Sequence, residues 1–267
     1  MAQEKKFQDL NLSNAFLFAA ALEDEDICKI VLHTILDEEI GDIQVKSERM
    51  ILYNSDFKCV RLDIFASDLE RSYNIEMQNE NENNLPKRSR YHQAEMDLSS
   101  LKPGQDYNDL RPSIIVFICN FDPFGKGLYR YTYENCCRET GEVLGDEVKK
   151  VFLSTKGTNK NEVSEVLINF LNYVNDSTDN YVESISDEVI ISLHNRVKEL
   201  KKNRQLEEKY MTGEELLKRE YSKGVEQGSQ KILELTNRMI SDGRTNEISR
   251  LLSDKTFLDE MIEKYKL

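Results

Sequence analysis

Apolar and polar positions alternate most clearly in "RLDIFASDLERSYNIEMQNE", residues 61 to 80, which sorts into two short strands about a polar turn. Leu62, Ile64 and Ala66 share one face of the first strand, and Arg61, Asp63 and Phe65 share the other. Tyr73, Ile75 and Met77 share one face of the second, with Asn74, Glu76 and Gln78 opposite. A hairpin turning at Leu69-Glu70 pairs Leu62 with Met77, Ile64 with Ile75 and Ala66 with Tyr73, so the apolar faces coincide. The same register sets Asp63 across from Glu76 and Arg61 across from Gln78. Cross-strand Cβ atoms stand about 5 Å apart, and like charges placed so destabilise a strand pair. A cation would relieve that repulsion.

Elsewhere the pattern is helical at both ends. Ser13 is placed to cap a helix carrying Phe16, Leu17, Ala20 and Ala21, and residues 26–36 present Ile27, Ile30, Val31, Thr34 and Ile35 at helical spacing. Residues 43–53 read as extended. After the strand bearing Glu76, "NENENNLP" is a polar loop closed by Pro86, and a helix over 87–101 sets Tyr91, Ala94, Leu98 and Leu101 on one face. "SIIVFICNF" is continuously apolar, the pattern of a strand covered on both faces. "DPFGKG" is a turn, "LYRYTYENC" an outer strand and "KKVFLST" a last strand. The order is helix, three strands, helix, strand.

From Asn161 the chain turns helical, first with Val163, Val166, Leu167, Phe170, Leu171 and Val174, then through a charged run over 183–218. Gly224 and Gly228 are expected to mark a joint before a small unit built on Ile232, Leu235, Met239, Ile248, Leu251, Leu252 and Leu258. The expected organisation is a core over 1–155 and a helical C-terminal region over 156–267 that mediates assembly or positions a substrate.

Composition narrows the classes. The chain has 267 residues, 39% of them hydrophobic, enough for a full core, and its net charge of −13 excludes a protein that coats nucleic acid by bulk electrostatics. Phosphate contact would have to be focused, as in "LPKRSRYHQ" with Lys87, Arg88 and Arg90. The second basic cluster, Lys198, Lys201, Lys202 and Arg204, reads better as a solvated helix face. No apolar run approaches the roughly 18 residues of a membrane span, and "MAQEKKFQDL" lacks the apolar stretch of a signal peptide, so a cytoplasmic location without membrane contact is expected. The five cysteines are expected to be free and mostly buried thiols. No GxxxxGK[ST] loop, GxGxxG turn or GxSxG elbow is present, which sets aside a nucleotide cofactor and serine-hydrolase chemistry.

Two facing carboxylates suit a hard divalent cation, and Mg²⁺ typically takes one or two carboxylates, waters and substrate phosphate oxygens. Asp63 and Glu76 meet that need, with the Met77 carbonyl as third ligand and Gln78 oriented toward an attacking water. Arg61, Lys87, Arg88 and Arg90 are placed to neutralise phosphate. On spacing alone the pair is a weak signal, and acids on the solvated face of a hairpin are the better reading. His33, His92 and His194 have no Cys or His partner at ligand spacing and read as structural or solvated. His92, following Arg88 and Arg90, is the one set aside as a candidate DNA contact.

At these residues, "VRLDIFASD…YNIEMQNE" followed by "LPKRSRYHQAEMDLSSLKPGQDYNDLRPSIIVFICNFDPFGKGLYRYTYENCC", the sequence resembles the PD-(D/E)XK nuclease superfamily. The resemblance is to its transposase-like branch, the Rpn family of recombination-promoting nucleases, over roughly residues 10 to 155 and in the glycine-containing tail. It implies a restriction-endonuclease-like α/β core of helix-strand-strand-strand-helix-strand order with a mixed sheet. It also implies metal-dependent DNA cleavage linked to recombination or mobile elements, with Asp63 and Glu76 as metal ligands and Gln78 at the motif lysine. A neutral amide cannot stabilise developing negative charge as an ammonium does, and Lys87 is the expected substitute. Family members often carry an acid in the first helix where this chain has Asn14, an accessory candidate for the metal or its water. The expected enzyme is a Mg²⁺-dependent endodeoxyribonuclease, with Mn²⁺ as substitute, DNA as partner and a homodimer for cutting both strands. The alternatives are a degenerate nuclease fold used for nucleic-acid or protein binding, and an RNase using the same metal site.

Overall fold

The computed structural model describes residues 6–47, 64–101 and 103–266. Among them one mixed sheet contains β1 (Gln44–Ser47), β2 (Ile64–Ser67), β3 (Ser72–Gln78), β4 (Ser113–Cys119), β5 (Arg130–Tyr133) and β6 (Val148–Ser154). The spatial order is β1-β2-β3-β4-β6-β5. Strands β3, β4 and β6 pair in parallel, while β1, β2 and β5 are antiparallel to their neighbours.

The β2–β3 hairpin has the register that alternation predicts, with Ile64 opposite Ile75 and Ala66 opposite Tyr73. Asp68 closes its turn at Leu69-Glu70. Its Oδ1 accepts from the backbone N–H groups of Glu70 (2.8 Å) and Arg71 (2.6 Å), and its Oδ2 accepts from the Tyr73 hydroxyl at 2.9 Å. Burial pushes the Asp68 carboxyl up, but these donors hold it below the usual carboxylate range. A parallel β3–β4 pair requires a crossover, which α3 (Leu85–Ser100) supplies. Strand β4 is buried at all seven positions, as its unbroken apolar run implies.

The helices α1 (Ala15–Leu22) and α2 (Glu25–Leu36) precede the sheet. Asn14, not Ser13, caps α1, its Oδ1 accepting from Leu17 N–H at 3.1 Å, while the Ser13 N–H donates to the Val174 carbonyl at 2.8 Å. Asp24 caps α2 through Ile27 N–H at 3.0 Å. After the sheet come α4 (Glu165–Asn175), α5 (Asp179–Ser184) and α6 (Glu188–Lys201). The compact unit that holds the sheet runs to Arg204, so these three helices beyond residue 155 pack within it. Cys28 and Cys119 are buried as expected, and burial pushes both thiols up to about 12; Cys136 and Cys137 are exposed instead, on a loop after the edge strand.

A polar relay locks the helical layer. His194 is buried, with Nδ1 3.0 Å from the Tyr173 hydroxyl and Nε2 2.7 Å from Asp179 Oδ1, and Lys198 donates to the same Asp179 oxygen at 2.7 Å. Hydrogen bonds from His194 and then Lys198 lower the Asp179 carboxyl to about 2. A depressed acid contributes stability above its unfolded value of about 3.9, and that contribution is lost as pH falls toward 2. Unfolding followed by circular dichroism should therefore show a steeper loss of stability between about pH 4 and pH 2 in wild type than in Asp179→Asn. Equal slopes would show that the relay does not couple to folding.

The second unit, Gln205–Leu267, holds α7 (Arg204–Ser241), α8 (Ile248–Leu251) and α9 (Lys255–Tyr265). Its core is Leu235, Met239, Leu251, Phe257 and Met261. The expected Leu235, Met239 and Leu251 are there, whereas Ile232 and Leu252 face solvent and Phe257 and Met261 take their places. Gly224 and Gly228 are not a joint: α7 continues through both, and a Cβ at either would meet open space. Their helical backbone is compatible with alanine, so Gly224→Ala and Gly228→Ala should each stabilise α7 by about 0.5–1 kcal/mol, read as an upward shift in its melting.

Candidate active site

Polar side chains converge on β3, the second strand of the hairpin. Residues Asn74, Glu76 and Gln78 project from β3 toward α3, on the same face as Phe65 of β2 and Ile115, Phe117 and Cys119 of β4. In the sequence this face reads as solvated, yet Glu76 is only 2% exposed. The reason is α3. Its inward stripe is Leu85, Ser89, His92 and Met96, spaced by four, three and four residues. The expected apolar face points outward instead, with Tyr91 and Ala94 exposed and Leu98 80% exposed. The helix begins at Leu85 with Pro86 inside its first turn, not before it.

Arg88 is the cation that meets the acid. Its Nη2 donates to Glu76 Oε2 at 2.7 Å and its Nη1 to Gln78 Oε1 at 2.9 Å, while Gln78 Nε2 donates to Glu76 Oε2 at 3.2 Å. The guanidinium also lies 5.7 Å from the centre of the Phe117 ring, the residue directly across from Glu76 on β4. His92 closes the other side, with Nε2 2.8 Å from Glu76 Oε1 and Nδ1 3.4 Å from Glu95 Oε2; the approach at Oε1 is close and polar but not aligned as a hydrogen bond. Both carboxylate oxygens therefore face nitrogen groups. A carboxylate buried to this degree without such partners would cost several kcal/mol, so the cluster is the condition for Glu76 being there at all.

The sequence-predicted residues fall into three groups. Glu76, Gln78, Arg88 and His92 come together. His92 is fully buried, so it touches Glu76 and does not reach a DNA phosphate as expected. Lys87 and Arg90 are exposed on the outer side of the first turns of α3, and among the described residues no contact joins the Lys87 ammonium to Glu76. Met77 buries its side chain on the opposite face of β3. Asn14 spends its Oδ1 on the α1 cap, though Asn79 Nδ2 donates to the Ser13 carbonyl at 2.9 Å and so ties the start of α1 to the end of β3. Arg61 and Asp63 lie outside the described residues.

Sequence reasoning passed over Asn74. It is fully buried two residues before Glu76 on the same face, and among the described residues neither of its amide atoms has a hydrogen bond. A buried amide left unpaired costs free energy and is uncommon outside functional sites. Its signal in the sequence was the same alternation that found Glu76.

The description PD-(D/E)XK nuclease family transposase matches residues 15–223, which take in the sheet, α3 and the whole cluster around Glu76. The chain belongs to this family. No curated protein and no solved structure matches it. As a PD-(D/E)XK nuclease family transposase it has the expected mixed α/β architecture, a nuclease or mobile-element role and a nucleic-acid substrate. Such nucleases generally use divalent metals. Among the described residues no group of three or more His, Cys, Asp or Glu side chains is placed to hold a metal ion. Its partial fit to a metal is chemical. Glu76 is a hard oxygen donor held beside a cation position filled by Arg88, whose side chain is one-quarter exposed. Among the described residues no helix is long and apolar enough to cross a membrane.

Proposed function

We propose that this chain is a metal-dependent endonuclease that hydrolyses DNA phosphodiester bonds in the cytoplasm in recombination or mobile-element movement. The observation that carries it is Glu76, a carboxylate buried at the centre of the sheet and met by Arg88, Gln78 and His92, in a chain of a nuclease family. The second acid in this reading is Asp63. It directly precedes Ile64, which pairs with Ile75, and Glu76 directly follows Ile75; one further step of that antiparallel register would oppose the two acids.

Asp63, Glu76 and the Met77 carbonyl would hold Mg²⁺, or Mn²⁺ in its place. Such an ion, when bound, polarises the phosphodiester and acidifies water in contact with it. The rest is done by the chain's own side chains. Arg88 supplies the positive charge that Gln78 cannot, and donates to a phosphoryl oxygen when it leaves Glu76. Gln78, freed from Arg88, positions the attacking water. His92, packed 2.8 Å from Glu76 Oε1, limits how the carboxylate can turn. Lys87, Arg90 and Arg61 carry the strand's phosphates, and the helical C-terminal region positions DNA or assembles two copies to cut both strands.

Plasmid nicking in Mg²⁺ or Mn²⁺ beside a chelated control tests this reading directly. Cleavage should need the metal and should vanish in Asp63→Ala and Glu76→Ala. Activity surviving both substitutions would refute the site. The second reading, a degenerate nuclease fold retained for binding, is favoured by the neutral Gln78 and by Asn14 being engaged as a helix cap. Calorimetry separates them, because a binding module takes up DNA without metal and is indifferent to Asp63→Ala.

A further inference from the structure

On the far side of α3 from Glu76 lies a cleft of about 630 Å³. The two flanks of the helix are divided by its 3.6-residue turn: Arg88 and His92 reach toward Glu76, while Ser89, Arg90 and Gln93 line the cleft. Its opposite wall is the outer part of the sheet, where Phe152 and Lys150 of β6 stand beside Tyr133 of β5, with Phe124 from the preceding loop. Arg111, from the segment entering β4, adds a third cation to Arg90 and Lys150.

The floor is aromatic and the edge is basic. Tyr133 packs on Phe124 and Phe152 with ring centres 5.2 and 5.7 Å away and yet remains 46% exposed. The acids of the cleft are Asp97, which accepts from Gln93 Nε2 at 2.9 Å, and Asp146, which accepts from Asn135 Nδ2 at 2.6 Å. Three cations against these two acids leave the cleft a small positive excess, and Arg111 also donates through Nη1 to the Asp68 carbonyl at 3.2 Å. A flat ring flanked by phosphate matches that combination. The volume lies within the range of small-ligand clefts and admits one nucleotide.

Position supplies the remaining constraint. Glu76 lies across from Phe117, and Phe117 across from Phe152, so the acid and the aromatic floor sit in one row of the sheet. Two strand spacings make that separation about 10 Å. The buried Phe117 and the inward stripe of α3 stand between the two, so a DNA strand that reaches both passes around α3, and the base that enters the cleft lies further along the strand than the phosphate at Glu76.

We propose that this cleft is a base-binding subsite, taking a nucleobase of the DNA strand that passes around α3 from the phosphodiester at Glu76, with stacking on Tyr133 and phosphate contacts from Arg111 and Lys150. The proposal rests on the nuclease reading for its orientation and on the cleft's own chemistry for binding. It is tested in chelator, without cleavage, by fluorescence anisotropy of a labelled single-stranded oligonucleotide and by calorimetry with dAMP. Tyr133→Ala should weaken oligonucleotide binding about tenfold, the measure of one lost stacking contact, whereas Tyr133→Phe should retain it. Arg111→Ser with Lys150→Ser should weaken dAMP binding and reduce the salt dependence of oligonucleotide binding by about two phosphate contacts. Thermal melting of each variant confirms its fold, and Tyr107→Ala, at an exposed tyrosine outside the cleft, should change nothing.

Nucleotide binding that depends on Tyr133 but accompanies no Glu76-dependent cleavage would keep the subsite and sink the nuclease reading. Glu76-dependent cleavage with unchanged affinity in Tyr133→Ala would do the reverse. Wild type that binds neither probe would overturn the subsite outright.

Discussion

Glu76→Gln lowers metal-dependent cleavage by at least about 10²-fold while leaving the fold in place. The amide keeps an acceptor for Arg88 and nearly the same volume, but it carries no charge to hold a divalent cation, and losses of 10²–10³-fold are usual when one electrostatic group of an active centre is removed. Glu76→Ala adds a second effect. It removes the acceptor of the Arg88 Nη2 donor and leaves a cavity beside His92, and losing a hydrogen bond to a charged group costs about 1.5–3 kcal/mol. Denaturant melts should thus separate the two variants even though their activities fall together. Asp63→Ala is expected to match Glu76→Gln in activity, and the double variant to be little worse than either, because ligands of one ion act as a unit. Full additivity of the two losses would argue that the acids serve separate tasks.

Arg88→Ala has the second largest effect, and it divides between stability and turnover. Truncation leaves a buried carboxylate without its cation, a loss of about 3–5 kcal/mol and a drop of several degrees in Tm. On the proposed mechanism kcat falls about 10²-fold with a smaller change in KM for DNA, since the guanidinium acts on charge that develops during reaction. Arg88→Lys should recover part of kcat, having the charge but not the fork that spans Glu76 and Gln78. Lys87→Ala makes the contrasting case. Exposed and away from Glu76, it should raise KM and flatten the salt dependence with kcat nearly intact. If Lys87→Ala abolished turnover and Arg88→Ala did not, the assignment of the cation would be reversed.

His92 and the α3 face explain why part of the site was hidden from a linear reading. Period-two alternation placed Glu76 and Gln78 on one side of β3, and the structure agrees. What alternation could not say is whether that side faces water. The polar spacing of α3 was equally uninformative, because its buried stripe contains Ser89 and His92 while Tyr91 and Leu98 face out. A helix turned by a buried ion pair, and not by hydrophobic matching, violates the rule by which helices are oriented from sequence. The same limit applies to the glycines of α7, which local propensity reads as a joint and the continuous helix overrides.

The sequence by itself determined the hairpin register, the central buried strand β4, the order of elements and the family, because these follow from side-chain period, turn chemistry and a motif, all local properties of the chain. Only the tertiary structure decided that Glu76 is buried, that Arg88 and not Lys87 answers it, that His92 is a partner within the protein, and that a cleft opens on the other flank of α3. Those depend on the rotation of one helix over one sheet. A turn of about 100° per residue decides which of two adjacent cations meets the acid, and that rotation is set by the summed contacts of the whole layer.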